Sequence, residues 1–193
     1  MKVIGLTGGI ATGKSEATKI IRKLNTPVFD ADAAVHDIYQ NGTGARHLKA
    51  LCPEAIEGDR VDRKKLSQLI AYHPTLLKQI ETIVHPLVRQ AENEFLTESR
   101  RTKHKLVVID SPLLIETGHH KDMDATILID ATPETQRSRA MLRPGMTEEK
   151  FNMINSKQMS SSERRQHSNY IIENNGTLAD LEIHILKIFK ELV

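Results

Sequence analysis

Residues Gly8 to Ser15 read G-G-I-A-T-G-K-S, which is the pattern G-x-x-x-x-G-K-[ST]. Before it stands the apolar run Val3-Ile4-Gly5-Leu6-Thr7. After it, from Glu16 to Leu24, apolar Ile20, Ile21 and Leu24 recur at helical spacing. Strand, loop and helix together make a phosphate loop: backbone N–H groups and the helix N-terminus converge on a nest that binds a polyphosphate. Gly8 and Gly13 allow backbone angles and close approaches that a Cβ forbids. Lys14 reaches the β- and γ-phosphates, and the Ser15 hydroxyl holds Mg²⁺.

The composition excludes several other classes. The chain has 193 residues, with 27 Lys and Arg against 25 Asp and Glu, a net charge of +2. That balance does not suit a nucleic-acid binder working by bulk electrostatics. With no Trp and 4% aromatic residues, stacking platforms are scarce as well. The single cysteine, Cys52, rules out an internal disulfide framework and reads as a small apolar residue. No signal peptide opens the chain and no run is long enough to span a bilayer, so a soluble, cytoplasmic protein is expected.

Five short apolar runs read as buried strands: Val3 to Thr7, Pro27 to Asp30, Leu106 to Asp110, Thr126 to Asp130 and Tyr170 to Glu173. Most are rich in Val or Ile without polar alternation, as in a parallel sheet covered by helices on both faces. The last helix is the plainest, with Thr177 as cap and Leu181, Ile185, Ile188 and Leu192 on one face. Thr132-Pro133 opens another. About 75 residues separate the second strand from the third, far more than a simple crossover needs. Helical patterns fill that stretch: Asp62 to Tyr72, Pro74 to Ile83, and Pro86 to about Lys103. A basic helical segment from Arg139 to Arg165, broken at Pro144-Gly145, lies between the fourth and fifth strands. The chain therefore reads as one nucleotide-binding domain over residues 1–193, with a helical insertion at about 33–104 and a lid at about 137–166.

Several side chains are candidates for the chemistry. Asp30-Ala31-Asp32 ends the second strand, where ligands bind in parallel sheets. Asp32 there either accepts the proton of an attacking hydroxyl or caps the helix that follows. Asp110, at the end of the third strand, suits a carboxylate behind Mg²⁺ or a solvated turn. Leu113 and Leu114 follow Pro112, as mouth residues or as core. Arg139 and Arg143, at i and i+4, would share a helix face above a transferring phosphoryl group, unless that face is merely solvated. His85-Pro86 stands between two helical patterns, without partners at metal-ligand spacing. His119-His120 reads as an exposed turn. The run from Arg100 to Lys105 fits a helix C-terminus without any nucleic acid.

Taken together these segments resemble the dephospho-CoA kinase family. The matching segments are I-G-L-T-G-G-I-A-T-G-K-S, V-F-D-A-D, H-P-L-V-R, I-D-S-P-L-L-I-E, T-P-E-T-Q-R-S-R, Gln158 with Arg164, and I-I-E-N-N-G. The resemblance implies an α/β P-loop NTPase fold: a five-stranded parallel sheet flanked by helices, with a helical substrate-binding insertion and a lid. It implies transfer of the ATP γ-phosphate to the ribose 3′-hydroxyl of dephospho-CoA, with Mg²⁺, in a monomer or weak homo-oligomer with no nucleic-acid or membrane partner. Asp32 falls on the family's catalytic base, with Lys14 and Arg139 as the other catalytic groups. Gly8, Gly9, Ile10, Ala11, Thr12, Gly13, Lys14, Ser15, Arg143 and Asn175 fall on the ATP site, Asn175-Gly176 where the family closes around adenine. His85, Leu113, Leu114 and Glu116 fall in the acceptor region, and Ser15 and Asp110 on the metal side.

Three segments depart from the family's pattern. Ala11 and Thr12 replace the usual glycine and serine, which binding survives provided Ala11 needs no positive φ. Ser168-Asn169 replaces Ala-Asp before the last strand, and Ser160-Ser161-Ser162 is more polar than in some relatives. Two rivals share the phosphate loop: another small-molecule kinase of the same fold, and a nucleotide switch acting through a partner. The absence of an N-K-x-D element weighs against the latter.

Overall fold

The computed structural model describes residues 1–192. Along the chain run β1 (Lys2–Gly8), α1 (Lys14–Lys23), β2 (Val28–Asp30), α2 (Ala31–Gln40), α3 (Thr43–Leu48), β3 (Ile56–Glu57), β4 (Arg60–Val61), α4 (Arg63–Tyr72) and α5 (Pro74–Arg101). There follow β5 (Leu106–Asp110), β6 (Ala125–Asp130), α6 (Pro133–Met141), α7 (Glu148–Lys157), α8 (Ser161–Gln166), β7 (Tyr170–Glu173) and α9 (Leu178–Leu192). Two compact units result: Met1–Phe29 together with Ser99 onward, and Asp30–Glu98.

The first unit is built on the expected five-stranded parallel sheet, in the order β2-β5-β1-β6-β7. Strand β1 is central, with Ile4 opposite Val108 on one side and Ala125 on the other. Its flanking strands β5 and β6 are buried at every residue, which explains their unbroken apolar sequences. Alternate residues Ile4, Leu6, Ile127 and Ile129 meet Ile20 and Ile21 of α1 and Leu181, Ile185, Ile188 and Leu192 of α9. Each such aliphatic side chain contributes about 1.5–3 kcal/mol on burial. Thr177 caps α9 as expected: its hydroxyl accepts from the Asp180 amide, and the Asp180 carboxylate accepts from the Thr177 amide. Thr132 likewise caps α6, with Pro133 in the first turn.

The second unit closes around Ile38, Tyr39, Leu48, Cys52, Val61, Leu66, Ile80 and Val84. Cys52 is 1% exposed, and burial pushes its thiol pKa up, with Glu54 adding to the shift. The expected helix from Asp62 begins one residue later, because Asp62 is its cap and accepts from the amides of Lys64 and Lys65. A helix break at His85-Pro86 is not found. α5 runs through both residues, with Pro86 inside it. Proline removes one backbone donor and crowds the preceding turn, but Ile80 and Val84, buried on the turns before it, hold the helix in the core.

Candidate active site

The phosphate loop connects β1 to α1, and its conformation follows from three close approaches. A Cβ on Gly8 would lie 2.7 Å from both the Ile129 carbonyl and the Thr12 hydroxyl. Gly13 has φ +100° and packs against the Asn174 amide, so a side chain there would be both strained and obstructed. Ala11 has φ +59°, the left-handed region, although it carries a Cβ. The condition set for it above, that it need no positive φ, is therefore not met. The loop accepts a strain of about 1–2 kcal/mol at this residue. Ala11 is nonetheless buried, packed with Ile10, Ala140 and Phe151.

Helix α1 starts directly from Gly13 with no side-chain cap; the Glu16 amide donates to the Gly13 carbonyl at 3.0 Å, which leaves the Lys14 and Ser15 amides as donors for an anion. The Thr12 hydroxyl donates to the Gly9 carbonyl at 3.0 Å and holds the loop's first turn closed. Ser15 is exposed.

Lys14 Nζ donates to Asp110 Oδ1 at 2.6 Å, and the Thr18 hydroxyl donates to Asp110 Oδ2 at 2.6 Å. Asp110 is thus a buried carboxylate with both oxygens engaged, at the carboxyl end of the strand beside β1. It is not the solvated turn acid that its position also allowed.

Arg139 also belongs to the loop. Its Nη1 donates to the Asn174 carbonyl at 2.8 Å and to the Thr12 carbonyl at 3.4 Å, and its Nη2 reaches the Gly176 carbonyl at 3.5 Å. Asn174 Nδ2 donates to the same Thr12 carbonyl at 2.8 Å. Asn175 instead receives the Thr132 amide at 2.9 Å, joining the end of β7 to the start of α6. Asn174 is a site residue not singled out from the sequence, although it stands in the quoted I-I-E-N-N-G; an amide directly after an expected core strand was the available signal, and the fold leaves it 5% exposed. Arg143 does not share the face of Arg139, because α6 ends at Met141 and Arg143 is exposed in the turn beyond it.

The segment after β5 divides its residues. Leu114 is fully buried against Gly5, whereas Leu113 is 46% exposed. Glu116 Oε1 accepts from the Met159 amide at 3.3 Å. His119 is 9% exposed, not the surface residue expected, and its Nδ1 lies 3.1 Å from the Asp122 carboxylate.

Two of the sequence departures find a structural explanation. Asn169 Oδ1 accepts from the Thr126 amide at 2.8 Å, a bond that any side-chain carbonyl or carboxylate oxygen can make. Ser160 and Glu163 form a capping box on α8, and the Ser161 hydroxyl donates to buried Asp130 at 2.6 Å. Asp130 also accepts from Arg165 Nε at 2.8 Å.

In the second unit, Asp30 rather than Asp32 caps α2, its carboxylate accepting from the Ala33 amide at 3.0 Å. Asp32 lies in the helix's first turn. The capping role that competed for Asp32 therefore belongs to Asp30. His85 is exposed, midway along α5. The outer face of that helix forms a shallow cleft of about 620 Å³ lined by Pro86, Arg89, Gln90, Asn93, Glu94 and Thr97.

A loop of backbone donors at the centre of a parallel sheet, with its lysine held by a carboxylate on the adjacent strand, defines the P-loop NTPase fold, and the relatives of this chain make it an ATP-dependent phosphotransferase. Residues 2–180 match the family model for dephospho-CoA kinase, and the chain belongs to that family. A dephospho-CoA kinase of Bradyrhizobium diazoefficiens is 37% identical over 193 residues, 100% of this chain and 96% of the relative. The crystal structure of TT1252 from Thermus thermophilus superposes with a TM-score of 0.87 at 35% identity, covering 100% of this chain and 98% of that one. Dephospho-CoA kinase from Campylobacter jejuni shares the fold, with a TM-score of 0.75 at 22% identity over 98% and 96% of the two chains. No helix among the described residues is long and apolar enough to cross a membrane.

Proposed function

We propose that the chain transfers the γ-phosphate of ATP to the ribose 3′-hydroxyl of dephospho-CoA, giving CoA and ADP, with Asp32 as the base that accepts the hydroxyl proton. The observation that carries the donor half is the phosphate loop, with Lys14 on Asp110 and the uncapped start of α1. Family membership supports the acceptor half.

The uncapped amides bind the β- and γ-phosphates, and Lys14 exchanges Asp110 for a phosphate oxygen. Arg139 braces the loop through Thr12 and Asn174, and stabilises charge on the transferring group. Asn175 orders the chain where adenine is held. Arg143 meets the nucleotide from the lid, residues about 137–166, which closes over it and excludes water. His85, Leu113 and Glu116 bind the acceptor, with residues about 33–104 as its binding region, and Leu114 supports them from the core.

The hydroxyl of Ser15 and the carboxylate of Asp110 are hard oxygen donors of the kind Mg²⁺ takes, and the described residues hold no cluster of three or more His, Cys, Asp or Glu suited to a metal. That fits an ion bound chiefly by nucleotide phosphates and water, with Ser15 as direct ligand and Asp110 behind it. Such an ion would offset negative charge on the phosphates.

ATP consumption with dephospho-CoA, measured against shikimate, gluconate and AMP, tests the reading. Turnover with dephospho-CoA alone is expected. Turnover confined to another acceptor would move the protein elsewhere among P-loop kinases, and acceptor-independent hydrolysis alone would favour a switch.

A further inference from the structure

Buried Arg164 and half-buried Glu116 each keep one side-chain polar atom buried and unsatisfied. Arg164 is 5% exposed, and its Nε has no hydrogen-bond partner; Glu116 Oε2 is likewise buried without one. Buried charged groups are costly to hold unless they do something specific. Both are tied to one residue: Glu116 Oε1 accepts from the Met159 amide, and Arg164 Nη2 donates to the Met159 carbonyl at 2.5 Å.

From Met159 the connection continues to the loop. The Arg164 guanidinium occupies the space where a Cβ on Gly9 would be, 2.7 Å from Nη1 and 3.1 Å from Nη2. The residue before Met159, Gln158, accepts the Ile10 amide on Oε1 at 2.9 Å. Gly9 and Ile10 are thereby held from outside the loop immediately before Ala11, the residue in the left-handed conformation. A strained residue persists only where its surroundings over-determine it.

We infer that Gln158 and Arg164 are positioning residues that clamp the phosphate loop in its polyphosphate-binding shape, and that Glu116 sets the clamp through Met159. The P-L-L-x-E segment is thus connected to the donor loop by Glu116, Met159, Arg164 and Gly9 in succession. Glu116 was assigned above to the acceptor; here it acts on the donor as well. The inference rests on the proposed reaction only for its nucleotide, and binding measured without acceptor separates the two.

The test is equilibrium binding of a fluorescent ATP analogue to the full-length protein without acceptor, for Arg164→Gln, Gly9→Ala, Glu116→Ala and their pairwise combinations. Arg164→Gln and Gly9→Ala should each weaken binding about tenfold, and the pair no more than either alone, because both remove one contact. Gly9→Ala guards against a misfolded Arg164 variant, since the guanidinium ends a flexible side chain and can swing aside. Glu116→Ala should weaken binding in the parent but add nothing in Arg164→Gln. In steady state at saturating acceptor, Arg164→Gln should raise KM for ATP while kcat stays within about twofold, a split that general destabilisation would not give. Unchanged affinity in the single variants, or additive losses in the pairs, would overturn the clamp. Loss of dephospho-CoA turnover in the parent would overturn the proposed function and leave the clamp standing.

Discussion

Lys14 and Asp110 form a 2.6 Å ion pair in which the carboxylate is almost wholly buried and the ammonium keeps a small exposed fraction. The pair joins the phosphate loop to the end of the neighbouring strand. It also supplies the lysine with a counter-charge before any nucleotide arrives. Replacing one member of such a pair leaves the other uncompensated. Asp110→Asn should therefore destabilise the nucleotide-free protein by about 2 kcal/mol, discounted because Lys14 still reaches water, or roughly 4–8 °C in Tm. ATP should restore more of that loss in the variant than it adds to the parent, since its phosphates replace the missing charge. Thermal melts with and without ATP check this; an equal ATP increment in both proteins would count against it.

Ala11→Gly sets three terms against one another. Relief of the left-handed strain favours the variant by about 1–2 kcal/mol. Loss of a buried methyl costs about 0.8 kcal/mol, and the extra freedom of unfolded glycine costs about 0.4–1 kcal/mol. These nearly cancel, so urea unfolding should place the variant within about 1 kcal/mol of the parent. A loss beyond about 2 kcal/mol would mean that packing against Ile10 and Phe151 outweighs the strain.

Asp32→Asn should lower kcat by about 10²–10⁴ while ATP affinity persists, because the amide cannot accept the hydroxyl proton. Asp30→Asn is the useful control: it keeps an oxygen acceptor for the Ala33 amide, so kcat should change little. Steady-state kinetics on both variants decide the matter, and an unaltered kcat in Asp32→Asn removes that residue from its role.

Acid stability follows from the helix caps. Hydrogen bonds hold four carboxylates below their ordinary range: from the backbone of Lys65 to Asp62, from its own backbone amide and the Thr147 hydroxyl to Glu149, from the Ser160 hydroxyl to Glu163, and from the Thr177 hydroxyl to Asp180. A carboxylate whose pKa is depressed by folding contributes stability above its unfolded value of about 4, and that contribution is lost as pH falls through the folded value. Tm should thus decline below about pH 4 on this account, and less steeply in a Glu163→Gln, Asp180→Asn double variant. Parallel declines in the two proteins would show that other groups control the acid limb.

Much of this was legible in the chain. The strands showed because a parallel sheet buried on both faces demands near-continuous aliphatic runs, as in L-V-V-I-D and T-I-L-I-D. The phosphate loop showed because its glycines and lysine are constrained locally. The continuity of α5 did not show: Pro86 signals a break by its own chemistry, and only the packing of Ile80 and Val84 overrides it. The β3–β4 hairpin was missed, although Gly58, at φ +64°, marks its turn between two two-residue strands.

By itself, then, the sequence determined the five core strands, the last helix, the donor loop and the family, since each rests on residues adjacent in the chain or at fixed helical spacing. Only the tertiary structure decided which side chains meet: Asp110 on Lys14 across 96 positions, Asn174 on Thr12 across 162, and Gln158 on Ile10 across 148. Those pairings depend on strand order and on the return of the segment after α7 to the loop. The strained φ of Ala11 is of the same kind, because alanine's own preference opposes it and only contacts from distant segments sustain it.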